Sequence, residues 1–441
     1  MRRKLAQSFI AVVVVVLFGQ SSARPQNASN ASLTGEWELT SVEMGIPSSQ
    51  RMLLTDSSGK LEGTVTGHKV VKGTVKQGEV RLEFSKAGET KVDSVYTGRI
   101  SAAGISGTYG DNGKVEGTWS AKRAPTDKPT SPRTLDFKPT QFHRELSGDI
   151  TPVLHIWPGD TVRTKSVDAG GQDETSVQRV QGGNPLTGPF YVEGAMPGDV
   201  LAITIKKLRI NRDWAGSDSG LVDRAVTADY VSGNKREWKS VRWHLDANKQ
   251  TASPENGLDH LRNFSVAIHP MLGCVALAPN PWDGSLNTRD SGETGGNMDF
   301  NEIAEGSTVL LGVEQPGALL FLGDAHAVQG DGELNGNALE TSMDIEFSVD
   351  VRREKEMGTP RVENSEYLMT LGLSGSLDDG LRVATSELAF WLQDDYHLTR
   401  DEAAIVLGSA IEYKIGEVAD RNVNVVAKIR KSTLASLSTK Q

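Results

Sequence analysis

Short alternations of apolar and polar residues, separated by glycine turns, fill residues 33–122. Runs such as LEGTV, VRLEF and VEGTW recur at regular spacing along this stretch. Alternation with a period of two predicts strands that bury one face, and regular spacing predicts a small antiparallel β-barrel or sandwich. No motif with chemistry occurs in it, which favours an accessory packing or interaction domain.

Four prolines among Thr, Ser and Lys then mark residues 123–139. This composition is typical of a stiff, solvated linker, so we place a domain boundary here.

Strand patterns resume in residues 140–435, and Pro-Gly-Asp occurs twice, ending at Asp160 and at Asp199. Each triplet predicts a tight turn that leads into a strand, because Pro presets φ and Gly accepts a positive φ. Helical periodicity follows at 385–396 and 399–413, with Thr399 as the expected N-cap. The predicted fold is therefore mainly β: a sandwich or barrel domain with a late α/β segment, preceded by the small antiparallel barrel.

Charge and cysteine content restrict the possible functions. The formal net charge is −10, and no Lys/Arg-rich block lies outside the extreme N-terminus, so a nucleic-acid groove is not expected. Cys274 is the only cysteine. One cysteine excludes intramolecular disulfides and multi-cysteine zinc sites, so any metal must be held by His, Asp or Glu.

The first 23 residues have the pattern of an export signal. Arg2, Arg3 and Lys4 precede an apolar run at 9–18, and small residues end at Ala23. The run is shorter than the roughly 20 residues that span a bilayer, so we expect cleavage after Ala23 and no stable membrane insertion afterwards. An uncleaved anchor is the alternative. Without cysteine pairs, the bacterial periplasm is the favoured location.

Chemistry concentrates in residues 323–333, which follow an apolar strand. This segment contains three acids, His326 and Gln329 among three glycines. Asp324 and His326 are two positions apart, so on a continuing strand both project to one face and suit one cation. Gly330 and Gly332 would let Glu333 return to the same place. The alternative is a solvated acidic turn.

Other candidates are weaker when judged from the residues alone. Gly-Gly-Asn at 295–297, followed by Asp299, is a common turn, and its residues leave function and turn equally open. His143, Asp168 and Glu193 lie at or near strand ends, and each is more simply structural.

These segments in this order resemble the acetamidase/formamidase family. The matching stretches are 188–199, His269-Pro270 with Gly273, 295–299, and 323–333 with Ala338-Leu339-Glu340. The resemblance runs from about residue 142 to the C-terminus, and its most specific part is the 323–333 segment.

The resemblance implies a mainly β, often oligomeric enzyme that hydrolyses a carboxamide to a carboxylate and ammonia, in some members with a divalent metal such as zinc. A homodimer and a small-molecule amide substrate are the expected partners. Activated water and a proton-carrying carboxylate would meet the demands of amide hydrolysis. The candidate metal ligands are Asp324, His326, Asp168, Asp299 and His143; the candidate acid/base residues are Glu193 and Glu333; and the candidate substrate-binding residues are Asn297 and Gln329.

Residues 287–294 depart from the family's usual approach to Gly-Gly-Asn, so we expect a reshaped pocket wall there. Two alternatives remain open from the sequence: a non-catalytic exported binding or scaffold protein on the same fold, and a hydrolase of a non-amide ester or lactam.

Overall fold

The computed structural model describes residues 32–66, 69–111, 114–233, 238–255, 259–353, 355 and 357–437. The predicted export signal at 1–23 lies outside these residues. Among the described helices, none combines the length and the apolar character needed to cross a membrane.

The N-terminal unit is a closed antiparallel barrel in which each strand pairs with the next and the last pairs with the first. Its interior is filled by apolar side chains, among them Trp37, Met52, Leu82 and Trp119. The structure thus confirms the predicted small antiparallel barrel. Its strands are β1 Gly35–Glu43, β2 Ile46–Ser57, β3 Lys60–Val65, β4 Lys69–Lys76, β5 Glu79–Lys86, β6 Ser94–Ser101, β7 Gly104–Asp111 and β8 Lys114–Arg123.

The rest of the described chain is also mainly β, as predicted. Its strands, in chain order, are β9 Thr134–Asp136, β10 Glu145–Leu146, β11 Leu154–Ile156, β12 Thr161–Lys165, β13 Leu186–Val192, β14 Val200–Ile210, β15 Trp214–Asp218, β16 Ser240–Asp246, β17 Thr251–Pro254, β18 Val266–Ala267, β19 Met271–Leu277, β20 Leu286–Asn287, β21 Ser291–Gly292, β22 Gly295–Asn297, β23 Thr308–Gly312, β24 Leu320–His326, β25 Glu340–Thr341, β26 Met343–Arg352, β27 Arg361–Glu363, β28 Tyr367–Ser374, β29 Glu412–Glu417 and β30 Val423–Arg430.

Two large mixed sheets form this second unit. One has the order β29-β30-β28-β27-β23-β14-β26-β12-β9, and the other runs β18-β17-β16-β15-β25-β24-β19-β22-β21, with β13 and β11 beside β24. The main core combines side chains of both sheets, including Ile203 and Phe347 from the first and Leu272 and Leu322 from the second. Alternating strands that share one apolar face produce this sandwich.

Helices cover part of the first sheet late in the chain, as the sequence predicts. These are α2 Leu377–Tyr396, α3 Arg400–Ala410 and α4 Lys431–Leu434, whereas α1 Ala228–Gly233 lies earlier in the chain, between β15 and β16. Helix α2 buries Leu388 and Leu392 against the sheet. Thr399 caps α3, and its hydroxyl accepts a hydrogen bond from the backbone N–H of Glu402.

Two boundaries differ from the expectation. Helix α2 begins at Leu377, before the periodic stretch at 385–396, because Ser376 supplies an N-cap. Helix α3 ends at Ala410, and Tyr413 lies in β29, where pairing with β30 replaces the helical bonds. Part of the expected linker at 123–139 also forms β9, which pairs with β12.

Candidate metal centre and cleft

Strand β24 carries the acid and imidazole pair of the 323–333 segment into the interior. It lies between β13 and β19, and both Asp324 and His326 are 1% exposed. At the end of β24 that carries His326, strand β25 pairs with β24 and places Glu340 opposite His326. Asp299 follows β22, whose Asn297 lies opposite Cys274 on β19. Strand pairing therefore gathers residues that are distant in the sequence.

Four carboxylates surround the imidazole of His326. Its Nε2 lies 3.2 Å from Glu340 Oε1 and 3.8 Å from both Asp299 Oδ1 and Asp324 Oδ2. The possible ligand atoms form two sets, and within each set all atoms lie within 4.8 Å of one another. The sets are Asp299, His326 and Glu333, and Asp324, His326 and Glu340. These buried groups are positioned to bind a metal ion.

Unpartnered atoms support a cation at this place. Asp299 Oδ1, Asp324 Oδ1 and His326 Nε2 are buried and have no hydrogen-bond partner in the described part of the chain. Each such atom costs about 1–3 kcal/mol if nothing satisfies it. Carboxylate oxygens and an imidazole nitrogen are donors that a divalent ion such as zinc accepts. The residues present therefore fit a divalent metal.

Gly273 leaves the space in which these carboxylates meet. A Cβ at this position of β19 would lie 2.4 Å from Asp299 Oδ1 and 2.7 Å from Asp324 Oδ2. Both distances are too short for any real contact. The glycine is therefore required by the close approach of the two acids.

Three residues of the cluster have left-handed backbone conformations. The φ angles are 40° at Asp299, 52° at Asp324 and 47° at Glu333. Residues other than glycine seldom adopt this region, and a strained residue costs of order 1–3 kcal/mol. Such strain concentrates at functional sites, where the surrounding structure holds each side chain in place.

Two asparagines hold the acids in position. Asn297 Nδ2 donates to Asp299 Oδ2 and to Asp420 Oδ2, at 2.6 Å each. Asn184 Nδ2 donates to Asn297 Oδ1 and to Asp324 Oδ2, at 3.0 Å each. Asn297 was expected to bind substrate, whereas both hydrogens of its amide are already directed at carboxylates. Its contacts are those of a positioning residue.

Gln329 fixes the tautomer of His326. Gln329 Nε2 donates to the carbonyl oxygens of Asp299, at 2.6 Å, and of Gly416, at 3.2 Å. Its Oε1 is therefore the acceptor that faces His326 Nδ1, 2.9 Å away. When the imidazole is neutral, an Nδ1 that donates leaves the lone pair on Nε2, as metal-binding histidines require. Gln329 thus lies behind the imidazole and orients it.

Four acidic side chains crowd around one imidazole in the cluster and create a negative potential there. Burial, with added repulsion from neighbouring acids, raises the pKa of Asp299 and Glu333 well above their usual values. Burial alone would lower the pKa of His326, but the adjacent Glu340 and Asp324 outweigh it and raise this pKa well above its usual value. The same negative potential favours a bound cation.

Asp168 lies at the edge of the centre and not among its ligand atoms. Its Oδ2 is 2.7 Å from Arg212 Nη2, and both side chains are buried. The guanidinium of Arg212 also stacks on Trp214, 3.6 Å from the ring centroid. The carboxylate of Asp168 is thus neutralised by Arg212, although the residue borders a cleft that reaches the cluster.

Glu193 lies away from the centre. Strand β13 runs antiparallel to β24, with Leu186 opposite Gly323 and Phe190 opposite Leu320. Glu193 follows β13 and so falls at the end of β24 that is remote from His326. Its Oε1 is instead 2.6 Å from Nδ1 of His155.

His143 also lies outside the two sets of ligand atoms. Its backbone pairs with that of Leu186, and its ring packs edge-on against Phe321 at a centroid distance of 6.2 Å. Burial lowers the pKa of His143.

Three members of the cluster were not predicted as site residues. Glu340 was noted only as part of a matching segment, while Asn184 and Asp420 were not considered. Asp420 lies in the turn between β29 and β30, some 120 positions from Asn297, which it contacts. No local pattern marks these residues, because long-range pairing brings them together.

A cleft of about 500 Å³ reaches the cluster and includes Asn184 and Glu340 in its walls. Other wall residues belong to the 168–172 and 182–184 loops, to β15, and to the segment before β22, where Arg289 lies.

A sequence model of the acetamidase/formamidase family matches residues 131–282 and 283–387, which is more than half of the chain. The chain belongs to this family. The match begins after the barrel, and it includes Asp299, Asp324, His326 and Glu340.

Named relatives share about a quarter of the aligned residues. The formamidase of Methylophilus methylotrophus is 25% identical over 259 residues, 45% of this chain and 62% of the relative. The acetamidase of Mycolicibacterium smegmatis is 26% identical over 265 residues, 47% of this chain and 65% of the relative. The chain thus spans less than two thirds of either relative.

Solved structures agree with the sandwich fold. An acetamidase from Yersinia enterocolitica is 28% identical with a TM-score of 0.60, covering 69% of this chain and 94% of that one. An acetamidase from Bacillus halodurans is 25% identical with a TM-score of 0.59, covering 69% and 99%.

Proposed function

We propose that this acetamidase/formamidase family member hydrolyses a carboxamide to a carboxylate and ammonia. The cofactor is a divalent cation, with zinc favoured, and Asp299, Asp324 and His326 are its ligands. The observation that supports this most directly is the position of His326 Nε2, which is buried and unpartnered and lies 3.8 Å both from the unpartnered Asp299 Oδ1 and from Asp324 Oδ2, close to a cleft. Three protein ligands with open positions are the pattern of catalytic rather than structural zinc sites.

Amide hydrolysis needs an activated water, a polarised carbonyl and a proton for the departing ammonia. When bound, a cation of this kind acts as a Lewis acid and lowers the pKa of water. The surrounding residues keep its ligands in place: Gln329 orients His326, and Asn184 and Asn297 hold the two aspartates. Such supporting hydrogen bonds determine affinity as well as geometry.

Glu333 and Glu340 are the proposed acid/base residues. Glu333 Oε1 accepts a hydrogen bond from the backbone N–H of Ala338 at 2.9 Å, which fixes the carboxyl beside Asp299 and His326. Glu340 belongs both to the cluster and to the cleft wall, so it can pass a proton between them. Glu193 has no part in this proposal because it contacts His155 instead.

The test is ammonia release from formamide, acetamide and longer amides, measured on protein as purified, after chelation and after zinc is restored. We expect turnover to follow zinc content. His326→Ala should lose bound metal and turnover together, whereas His260→Ala, at an exposed histidine, should keep both. Full turnover in His326→Ala would contradict the assignment.

The same assay distinguishes the two alternatives. Intact zinc binding without ammonia release over the whole panel would favour a binding or scaffold protein. Turnover of esters or lactams without ammonia from any linear amide would favour the other hydrolase.

A further inference from the structure

The cleft beside the cluster is much larger than the smallest amides. Formamide and acetamide have three and four non-hydrogen atoms, which at about 30 Å³ for each water-sized group need roughly 90–120 Å³. The cleft has a volume of about 500 Å³, within the range of about 300–1,000 Å³ for sites of much larger ligands. A small amide would leave most of it to solvent.

Residues that the cleft shares with the cluster show where a larger ligand would place its carboxamide. Asn184 and Glu340 belong to both the cleft and the cluster. A ligand that presents its amide to the cluster must therefore place the rest of its body along the 168–172 loop and β15. The volume there accommodates roughly ten further atoms at about 30 Å³ each.

Most of the side chains in the walls are polar, which indicates the kind of body that fits. Apolar side chains in the walls are those of Ala169 and Trp214. The remaining walls present glycine backbone and the polar side chains Asp168, Gln172, Asn184, Ser217, Asp218, Ser240, Arg289, Asn337 and Glu340. Asp168, Asn184 and Asp218 already have partners in the protein. An aliphatic chain would displace water from the other polar groups without replacing its hydrogen bonds, whereas a ligand with its own hydrogen-bonding groups would replace them.

Two acidic side chains of the cleft have partners within the protein, whereas one arginine forms no salt bridge among the described residues. Asp168 is neutralised by Arg212, and Asp218 accepts a hydrogen bond from Asn337 Nδ2. Arg289, an exposed wall residue, has no carboxylate within salt-bridge distance among the described residues, although its charge acts on Asp420, and its Nε has only a long 3.4 Å contact with Asn287 Oδ1. A guanidinium offers donors and no acceptor, so its natural partner is a carbonyl or carboxylate oxygen.

We propose that the substrate is a primary amide on a polar body larger than acetamide, with an acceptor oxygen, carbonyl or carboxylate, that binds Arg289. This inference rests on the proposed amide hydrolysis and adds the substrate class. It predicts that kcat/KM rises when polar groups are added to the amide substrate and does not rise when an alkyl chain is added instead.

The test compares kcat/KM for acetamide, hexanamide and N-acetylasparagine, whose side-chain amide releases ammonia. We expect N-acetylasparagine to exceed both others by about tenfold or more, as hydrogen-bonded recognition allows. Arg289→Ala should lower the ratio of N-acetylasparagine to acetamide by about tenfold, and Ser240→Trp, which fills the cleft, should lower it as well. Arg99→Ala, at an exposed barrel arginine, is the matched control and should leave the ratio unchanged.

The outcomes separate this inference from the proposed function. Ammonia from none of a broad amide panel would remove the proposed function itself. Ammonia release that is fastest with acetamide or hexanamide would overturn the substrate class and keep the amidase. An unchanged ratio in both Arg289→Ala and Ser240→Trp would overturn the role of the cleft.

Discussion

Arg51 of the barrel forms a two-pronged ion pair with Asp199 of the second unit. Its Nη1 and Nη2 donate to the two carboxylate oxygens at 2.8 and 2.7 Å, and both side chains are almost fully buried. Nη2 also donates to the carbonyl oxygen of Gly194. Asp199 closes the second Pro-Gly-Asp turn by accepting a hydrogen bond from the backbone N–H of Met196 at 3.0 Å. One carboxylate thus stabilises the turn and fixes the barrel.

We expect Arg51→Ala to destabilise the protein by about 3–5 kcal/mol, because it leaves the buried carboxylate of Asp199 without its charge partner. Urea unfolding measures the change. Arg99→Ala breaks an exposed ion pair with Glu79 and should cost about 0–1 kcal/mol. Equal effects of the two variants would show that Arg51 does not hold the barrel in place.

Asp160, in the first Pro-Gly-Asp turn, should make stability depend on pH. Burial tends to raise its pKa, but hydrogen bonds from Arg133 and from the backbone of Trp157 and Arg133 outweigh burial and lower it. A lowered pKa means that the ionised carboxylate stabilises the fold above pH 3.8, its ordinary value, and that this contribution is lost as the pH falls further.

Asp160→Asn should therefore cost about 1–3 kcal/mol at pH 7. Urea unfolding at pH 7, 4 and 3 should show the difference from the parent protein shrinking as the pH falls. A difference that grew toward low pH would contradict the assignment.

Gly273→Ala tests the space between the two aspartates. The added methyl would press on Asp299 Oδ1 and Asp324 Oδ2, so we expect the bound metal and the amidase turnover to fall by about tenfold or more. Gly408→Ala is the matched control, because a Cβ there meets nothing within 4 Å in helix α3. It should keep full metal content and gain about 0.5–1 kcal/mol of stability. Unchanged zinc content in Gly273→Ala would mean that the ligands lie elsewhere.

Gln329→Leu tests the orientation of His326. Without its acceptor, Nδ1 no longer fixes the imidazole, so zinc affinity should fall by about 10–100-fold. Competition with a chelator of known affinity measures the change. Gln393→Leu, in helix α2, should leave zinc affinity as it is. If both variants bind zinc equally well, Gln329 has no role behind the histidine.

Much of the fold could be predicted because strand periodicity is local. Alternation in 33–122 identified the barrel, and Thr399 identified the start of α3, since a cap depends on a few consecutive residues. The end of α3 was less predictable. Tyr413 continues the helical spacing, but it lies in β29 because its backbone pairs with β30.

For the candidate site, the composition of 323–333 pointed to Asp324 and His326, and the structure buries both beside Asp299 and Glu333. The register of β13 against β24 places Glu193 at the end of β24 that is remote from His326, and Asp168 forms an ion pair with Arg212. Neither fact can be obtained from spacing along the chain.

By itself, the sequence determined which segments alternate, where the turns lie and which residues could bind a cation, since these follow from neighbouring residues. Only the tertiary structure decided which of those residues meet. Glu340 reaches His326 through the pairing of β24 and β25, and Asp420 reaches Asn297 through a turn more than a hundred positions away. The physical reason is that sheet registers and buried hydrogen bonds are settled by the packing of the whole domain.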